Sequence, residues 1–272
     1  MSDADFLVAR LIDQQVNFLH AAERIEGDTD NEALHDLRIA LRGASSLLLP
    51  LRDHPGLTRL DQAVADLLRR TSALRDAQVL AEELERRGWQ VEADKRRQKV
   101  EETCRRCMHG RVARRVNAEF ERWPTELRRV DAETGLRKLK RRIGRRMERD
   151  LQKLREALVL QGGCTNDWHV LRLRIKRVRY LCESYADWLT AKRKLLEELK
   201  RAQTALGSER DLSLWCSAAE KDPSLQPLLT TWLVSKVDAQ RDVRTAMDRL
   251  LKCLDDRRGR KGPVAALSPV VG

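Results

Sequence analysis

Two short segments carry the side chains with the most chemical potential. Leu34-His35-Asp36-Leu37-Arg38-Ile39-Ala40-Leu41-Arg42 aligns without gaps on Trp168-His169-Val170-Leu171-Arg172-Leu173-Arg174-Ile175-Lys176. In both copies an arginine follows the histidine three residues later, and an arginine or lysine follows it seven residues later. These groups suit anion capture. A guanidinium offers a planar fork of donors to phosphate, an ammonium offers a compact charge, and imidazole donates a hydrogen bond whether neutral or protonated. One histidine alone says little, but the same spacing used twice points to a shared, anion-facing role.

On a helical wheel at about 100° per residue, Trp168, Leu171, Ile175, Val178 and Cys182 form one apolar seam. Leu34, Leu37, Leu41, Ala44 and Leu48 form the same seam in the first copy. His169, Arg172, Lys176 and Arg179 run directly beside the second seam, and His35, Arg38 and Arg42 beside the first. An ordinary surface helix would place such charges opposite its core. The far flank of each stripe is apolar again, at Leu173 and Ile39. Unpaired cations buried there would cost several kcal/mol each, so the stripe must meet acids, line a wet channel or bind an anion. Asp76 and Asp211, beside Arg75 and Arg210 and at matching distance from the histidines, suit either pairing with one arginine of each stripe or helix capping and a local salt bridge.

The elements that must carry these stripes are helices. Leu, Ala, Arg, Glu and Lys dominate, β-branched and aromatic residues are few, and no strand signal competes. Periodicity, with breakers near Gly27 to Asp30, His54 to Gly56, Gly88, Trp123 to Thr125, Gly135, Gly162 to Asn166, Thr190 and Asp222 to Pro223, suggests eight long helical segments. Because Arg75-Asp76 recurs as Arg210-Asp211, the repeat extends well beyond the histidine helix. The expected fold is all-α, with two pseudo-symmetric four-helix bundles, residues 1–131 and 132–256, forming one compact helical domain. Residues 257–272 read as a disordered tail. Packing about a pseudo-twofold axis would bring the two stripes into one basic central groove or pore. A further arginine ladder, Arg137, Arg141, Arg145 and Arg149, offers Arg141 and Arg145 to the same groove.

Charge agrees with an anionic partner. The formal net charge is +12, and residues 96–149 alone carry 19 basic against 8 acidic side chains. No apolar run approaches the ~20 residues of a membrane span, and Ser2, Asp3 and Asp5 do not resemble a secretion signal, so no membrane insertion and a cytoplasmic location are expected. The six cysteines are scattered through helical sequence and read as reduced thiols. Cys104, Cys107 and His109 approach metal-ligand spacing, but no second pair completes a tetrahedral site, so neither metal nor cofactor is expected.

The repeated His-x-x-Arg-x-x-x-Lys/Arg pattern resembles the conserved histidine α-helical domain family, CHAD. The second copy, with His169, Arg172, Lys176, Arg177, Arg179 and Tyr180, is similar throughout. Gln203, Leu206-Gly207 and Asp211 are similar to the downstream pattern of the family. The first copy departs from it, with Gly43, Ser45 and Ser72 where the second has Arg177, Arg179 and Gly207. The resemblance implies a helical domain with a basic cavity that binds inorganic polyphosphate, often on polyphosphate granules, and no catalytic activity of its own. The polyphosphate-binding residues it suggests are His35, Arg38, Arg42, His169, Arg172, Lys176, Arg177, Arg179 and Tyr180. Some relatives add a triphosphatase domain marked by alternating glutamates on a strand. Glu83-Leu84-Glu85-Arg86-Arg87 mimics that marker but lies in a helical run, so phosphohydrolysis is not expected. The alternative function is nucleic-acid binding, which favours aromatic platforms among the cations. Only Trp168 and Tyr180 lie near the stripe.

Overall fold

Helix ends in this computed structural model, which describes residues 3–134, 139–161, 168–188 and 193–260, fall mostly where backbone chemistry requires them. Helix α1 (Asp3–Glu26) stops at Gly27, followed by Asp28 at φ +51°. Helix α2 (Ala33–Leu48) tightens into a 3₁₀ turn, Leu49–Leu51, and α3 (Pro55–Arg70) starts on a proline whose missing N–H costs nothing at a helix start. Helix α4 (Ser72–Arg86) is closed by Gly88 at φ +81°, where the Gly88 and Trp89 amides turn back to the Glu85 and Leu84 carbonyls. Only glycine enters that left-handed conformation without strain.

The remaining helices are α5 (Gln90–Met108), α6 (Arg111–Thr134), α7 (Leu139–Gln161), α8 (Trp168–Ser184), α9 (Arg193–Ala219) and α10 (Gln226–Arg260). A 3₁₀ turn at Pro223–Leu225 joins the last two. All regular structure among the described residues is therefore helical, as the sequence implied.

Four boundaries differ from expectation. The chain does not break at Trp123 to Thr125, because α6 runs straight through Pro124. The reason is packing: Ala113, Val116, Phe120, Trp123, Leu127 and Val130 form one buried seam, and the Trp123 indole donates to Gln15 Oε1 at 2.9 Å. Burial of that seam outweighs the hydrogen bond that Pro124 removes. Pro124→Ala restores the missing donor and is expected to raise stability by about 1 kcal/mol in urea unfolding. A loss of stability would show that the proline sets the path of α6.

Conversely, breaks appear between α3 and α4 at Thr71 and between α5 and α6 at His109-Gly110, so ten α-helices rather than eight segments occupy the described residues. Helix α10 also continues to Arg260, past the expected end at Asp256, and Arg257 pairs with Glu148 of α7 at 2.6 Å. The breaks expected at Gly135, Gly162 to Asn166 and Thr190 lie outside the described residues, as does the tail from 261 onward.

The main core runs from Phe6 to Leu254 and takes side chains from α1 to α3 and from α5 to α10. A smaller core joins the α4–α5 and α9–α10 hairpins through Leu84, Ala93, Cys216, Ala219 and Trp232. Within it, Glu83 is 1% exposed, and its carboxylate is taken by Arg86, Arg87 and the Trp232 indole. That arrangement places α2 against α8 and α4 against α9, the two contacts that assemble the cationic site.

Candidate anion-binding site

Helices α2 and α8 present the stripes that the wheel suggested. Leu34, Leu37, Leu41, Ala44 and Leu48 are buried, and so are Leu171, Ile175, Val178 and Cys182. Both seams press into the same core, so the flanking cations meet. Arg42 Nη1 lies 3.5 Å from the Tyr180 hydroxyl, and deeper down the Tyr185 hydroxyl donates to the Leu47 carbonyl at 2.6 Å. The outer flanks, Ile39 and Leu173, are about half exposed, so the cations are hemmed by core on one side and by a solvated aliphatic rim on the other.

Lys176 sits where the cations converge. Burial, then Arg172, Arg42, Arg210 and Arg38, pull its ammonium down to about 7 from the usual 10.5. Such a group is charged only in part near neutral pH while the site is empty, and an anion placed beside it restores the charge. Arg172 is lowered by the same causes, burial first and then Arg210, with Asp211 and Asp76 opposing. His35 is lowered by burial and by Arg75, which favours its neutral form. His169 is exposed at the rim and, with Trp168, Arg172 and Arg210, lines a cavity of about 200 Å³ between α8 and α9.

Of the two roles open to the repeated aspartates, the salt bridge outside the stripes is the one found. Asp76 on α4 receives both Nη atoms of Arg210 on α9, each at 2.8 Å, and Asp211 lies 3.6 Å from the same guanidinium. Arg210 is thus the arginine held by acid, and its charge is stabilised above the ordinary value. Burial raises the Asp211 carboxyl, with Arg210, Arg172 and Lys176 pulling the other way. Arg75 turns to Glu82 at 3.0 Å.

The two stripes also differ in how their first arginines are held. Arg38, 7% exposed, donates from Nη1 to the Leu68 carbonyl at 2.8 Å and to Thr71 Oγ1 at 2.5 Å. Both acceptors exist because the chain breaks at Thr71: the interruption frees the Leu68 carbonyl, and the threonine hydroxyl stands at the joint. In the second repeat α9 is continuous, and Leu206 occupies the place of Thr71. Arg172 consequently has no hydrogen-bond partner among the described residues, and its Nε is buried without one. Gln203 Oε1 on α9 is likewise buried and unpaired. Thr71 escaped the sequence reading, although Thr71-Ser72 is a helix-start signal inside an apparently continuous run.

Of the remaining candidates, Arg179 lies over the Tyr180 ring at 4.7 Å with Glu183 at 3.7 Å from its Nε. Arg177 is exposed. Arg141 and Arg145 are exposed on α7, and Arg145 lines a different cavity, bordered by the 3₁₀ turn that follows α2. Cys104 is buried, which pushes its thiol up to about 12; Cys107 is raised by burial too, and His109 is exposed at the α5–α6 break.

Comparison with known proteins agrees with this architecture. The structure superposes on the crystal structure of a CHAD domain from the plant Ricinus communis with a TM-score of 0.69, at 18% identity over 90% of this chain and 91% of that one. PptA from Streptomyces chartreusis aligns over 93% of this chain and 99% of its own, at 20% identity and a TM-score of 0.49. At such identities the first likeness speaks for the fold, and the second carries no weight here. No curated protein sequence matches. The family model of the CHAD domain matches residues 10–220, a stretch that holds both histidine helices and both Arg-Asp pairs. That match covers well over half of the sequence, and the chain therefore belongs to the CHAD-domain family.

Proposed function

We propose that this protein binds inorganic polyphosphate at the α2/α8 cluster and acts as a non-catalytic binding module in the cytoplasm, on polyphosphate granules where these form. One observation carries the reading: Arg38, Arg172 and Lys176 are partly or fully buried beside Arg42 and Arg210, and burial together with these neighbouring cations lowers the proton affinity of all three, with Asp76 and, for Arg172, Asp211 opposing. Crowding of like charge at partial burial is unfavourable unless an anion relieves it. Polyphosphate supplies a closely spaced row of anionic oxygens and releases its counterions on binding. Membership of the CHAD family supports the same ligand class. No helix among the described residues is long and apolar enough to cross a membrane.

Nucleic acid is the second reading, and the cluster disfavours it. Base stacking needs open aromatic faces, whereas Arg179 covers the Tyr180 ring and Trp168 packs against the core. The decisive experiment is competition between long-chain polyphosphate and single-stranded RNA for the full chain at fixed salt. Polyphosphate is expected to displace RNA. The reverse order would assign the site to nucleic acid.

Lys176 makes binding pH-dependent, with a definite sign. In the empty protein it is protonated below about 7 and neutral above. A bound polyanion raises that value, so binding takes up a proton and affinity falls as pH climbs from about 7 upward. Folding of the empty protein shows the opposite trend. Both folded and unfolded chains carry the charge below about 7, and its burial cost is relieved as pH rises from there toward 10.5. Lys176→Arg keeps the charge at all these pH values and should flatten the affinity profile between pH 6.5 and 9. An equally steep profile in that variant would assign the titration elsewhere.

A further inference from the structure

A second cationic cavity, of about 660 Å³, opens between α7 and the 3₁₀ turn that follows α2. Arg52, Arg142, Arg145, Arg146 and Arg149 line it, against the acids Asp53 and Glu148. None of these residues belongs to the α2/α8 cluster.

The arginines fall into two groups. Three are tethered: Arg52 to Asp61 at 2.6 Å, Arg142 to Asp53 at 2.9 Å and Arg146 to Asp150 at 2.9 Å. Of the two lining acids, Asp53 is thus held by Arg142, and Glu148 is held by Arg257 at 2.6 Å. Arg145 and Arg149 have no carboxylate partner among the described residues, and Arg149 Nε reaches only the Arg145 carbonyl at 3.4 Å. Tethered guanidinia give the cavity fixed walls, while the two unpaired ones are free to form bidentate bonds with phosphate oxygens.

Gly144 supplies an independent observation. It lies within α7, where glycine costs about 1 kcal/mol relative to alanine, and it lines the cavity. A Cβ built on it meets nothing within 4 Å, so core packing does not require a glycine there. What its bare backbone does is leave the cavity floor open beside Arg145.

One stretch of helical backbone also connects the cavity to the first site. Arg52 follows Arg42 by ten residues of nearly continuous helical backbone, an axial separation on the order of 15 Å. A flexible polyanion held at Arg42 can span that distance.

We propose that the α7 cavity is a second anchoring point for polyphosphate, engaged by a segment of the same chain that occupies the α2/α8 cluster; this rests on the polyphosphate reading of that cluster. Long chains are then held at two places and short ones at one. Once the first site is occupied the second encounter is intramolecular, so affinity rises with chain length without any change in the chemistry of either contact.

The test uses the full chain, titrated with tripolyphosphate and with long-chain polyphosphate at one ionic strength. For Arg145→Ala/Arg149→Ala, the long-chain affinity is expected to fall about tenfold while the tripolyphosphate affinity stays within about twofold. Gly144→Leu, whose side chain enters open space, should reproduce that loss without removing any charge. Unchanged long-chain affinity in the double variant overturns the second anchor and leaves the first site standing. Equal losses for both lengths overturn it as well, since they report a general electrostatic field. If the wild-type protein binds neither length, the polyphosphate reading falls and the anchor with it.

Discussion

Replacing Arg172 and Lys176 together by alanine is expected to weaken polyphosphate binding about 100-fold at low salt. Two charge-assisted contacts at the low end of about 1.5 to 3 kcal/mol each would contribute about 3 kcal/mol, close to the roughly 2.7 kcal/mol of a 100-fold change. The slope of log affinity against log salt should shrink by about 1.5, since each cation removed withdraws roughly 0.7 to 0.9 from it. Unfolding does not compete as an explanation. Arg172 makes no hydrogen bond among the described residues, and Lys176 is a partly buried cation surrounded by cations, so removing both relieves repulsion. Stability in urea should hold or rise while affinity collapses. Affinity and salt slope both unchanged in the double variant would remove the α8 stripe from the binding site.

Thr71→Val should behave in the opposite way, with a large loss of stability, about 2 kcal/mol, and a much smaller effect on binding. The side chains are nearly isosteric, so the change isolates the hydroxyl. Thr71 is fully buried, donates to the Leu67 carbonyl at 2.9 Å and accepts from Arg38 Nη1 at 2.5 Å. Its removal leaves one branch of a buried guanidinium without that acceptor, the costly form of a broken hydrogen bond. Arg38→Met in the Thr71→Val background should recover part of the loss, because an apolar side chain needs no acceptor. Additive effects of the two substitutions in a double-mutant cycle would show that they do not act through each other. A Thr71→Val protein as stable as wild type would return Arg38 to the list of ligand-binding side chains on a par with Arg172.

Together these expectations divide the repeat by role. In the first half the stripe arginine is committed to closing a helix break. In the second half the equivalent arginine meets a continuous helix and shares a cavity lining with the hydrophobic Leu206. Resemblance to the family already marked the second copy as the fuller match; the hydrogen bonds around Arg38 add a physical reason for unequal contributions.

How much of this was legible in one dimension follows from the range of the forces involved. The seams at Leu34 to Leu48 and Leu171 to Cys182 could be read directly, because helix periodicity and burial of one face are local, cooperative consequences of residue order. So could the stripes beside them, the closure at Gly88 and the all-helical class. The passage of α6 through Pro124 could not, since it depends on Trp123 finding Gln15, 108 positions away in the chain.

The pairing of charges was still less accessible. Asp76 chose Arg210, 134 residues distant, over any arginine of the stripes, and Arg42 met Tyr180 across 138 residues. The break at Thr71 then set Arg38 apart from Arg172, although the local patterns around the two are alike. Residue order thus established which side chains repeat and on which helix face they stand. Which cations are neutralised, which are committed to structure and which are left without a partner was decided by tertiary packing, because electrostatic partnership depends on separation in space and on burial, and neither is a property of the linear chain.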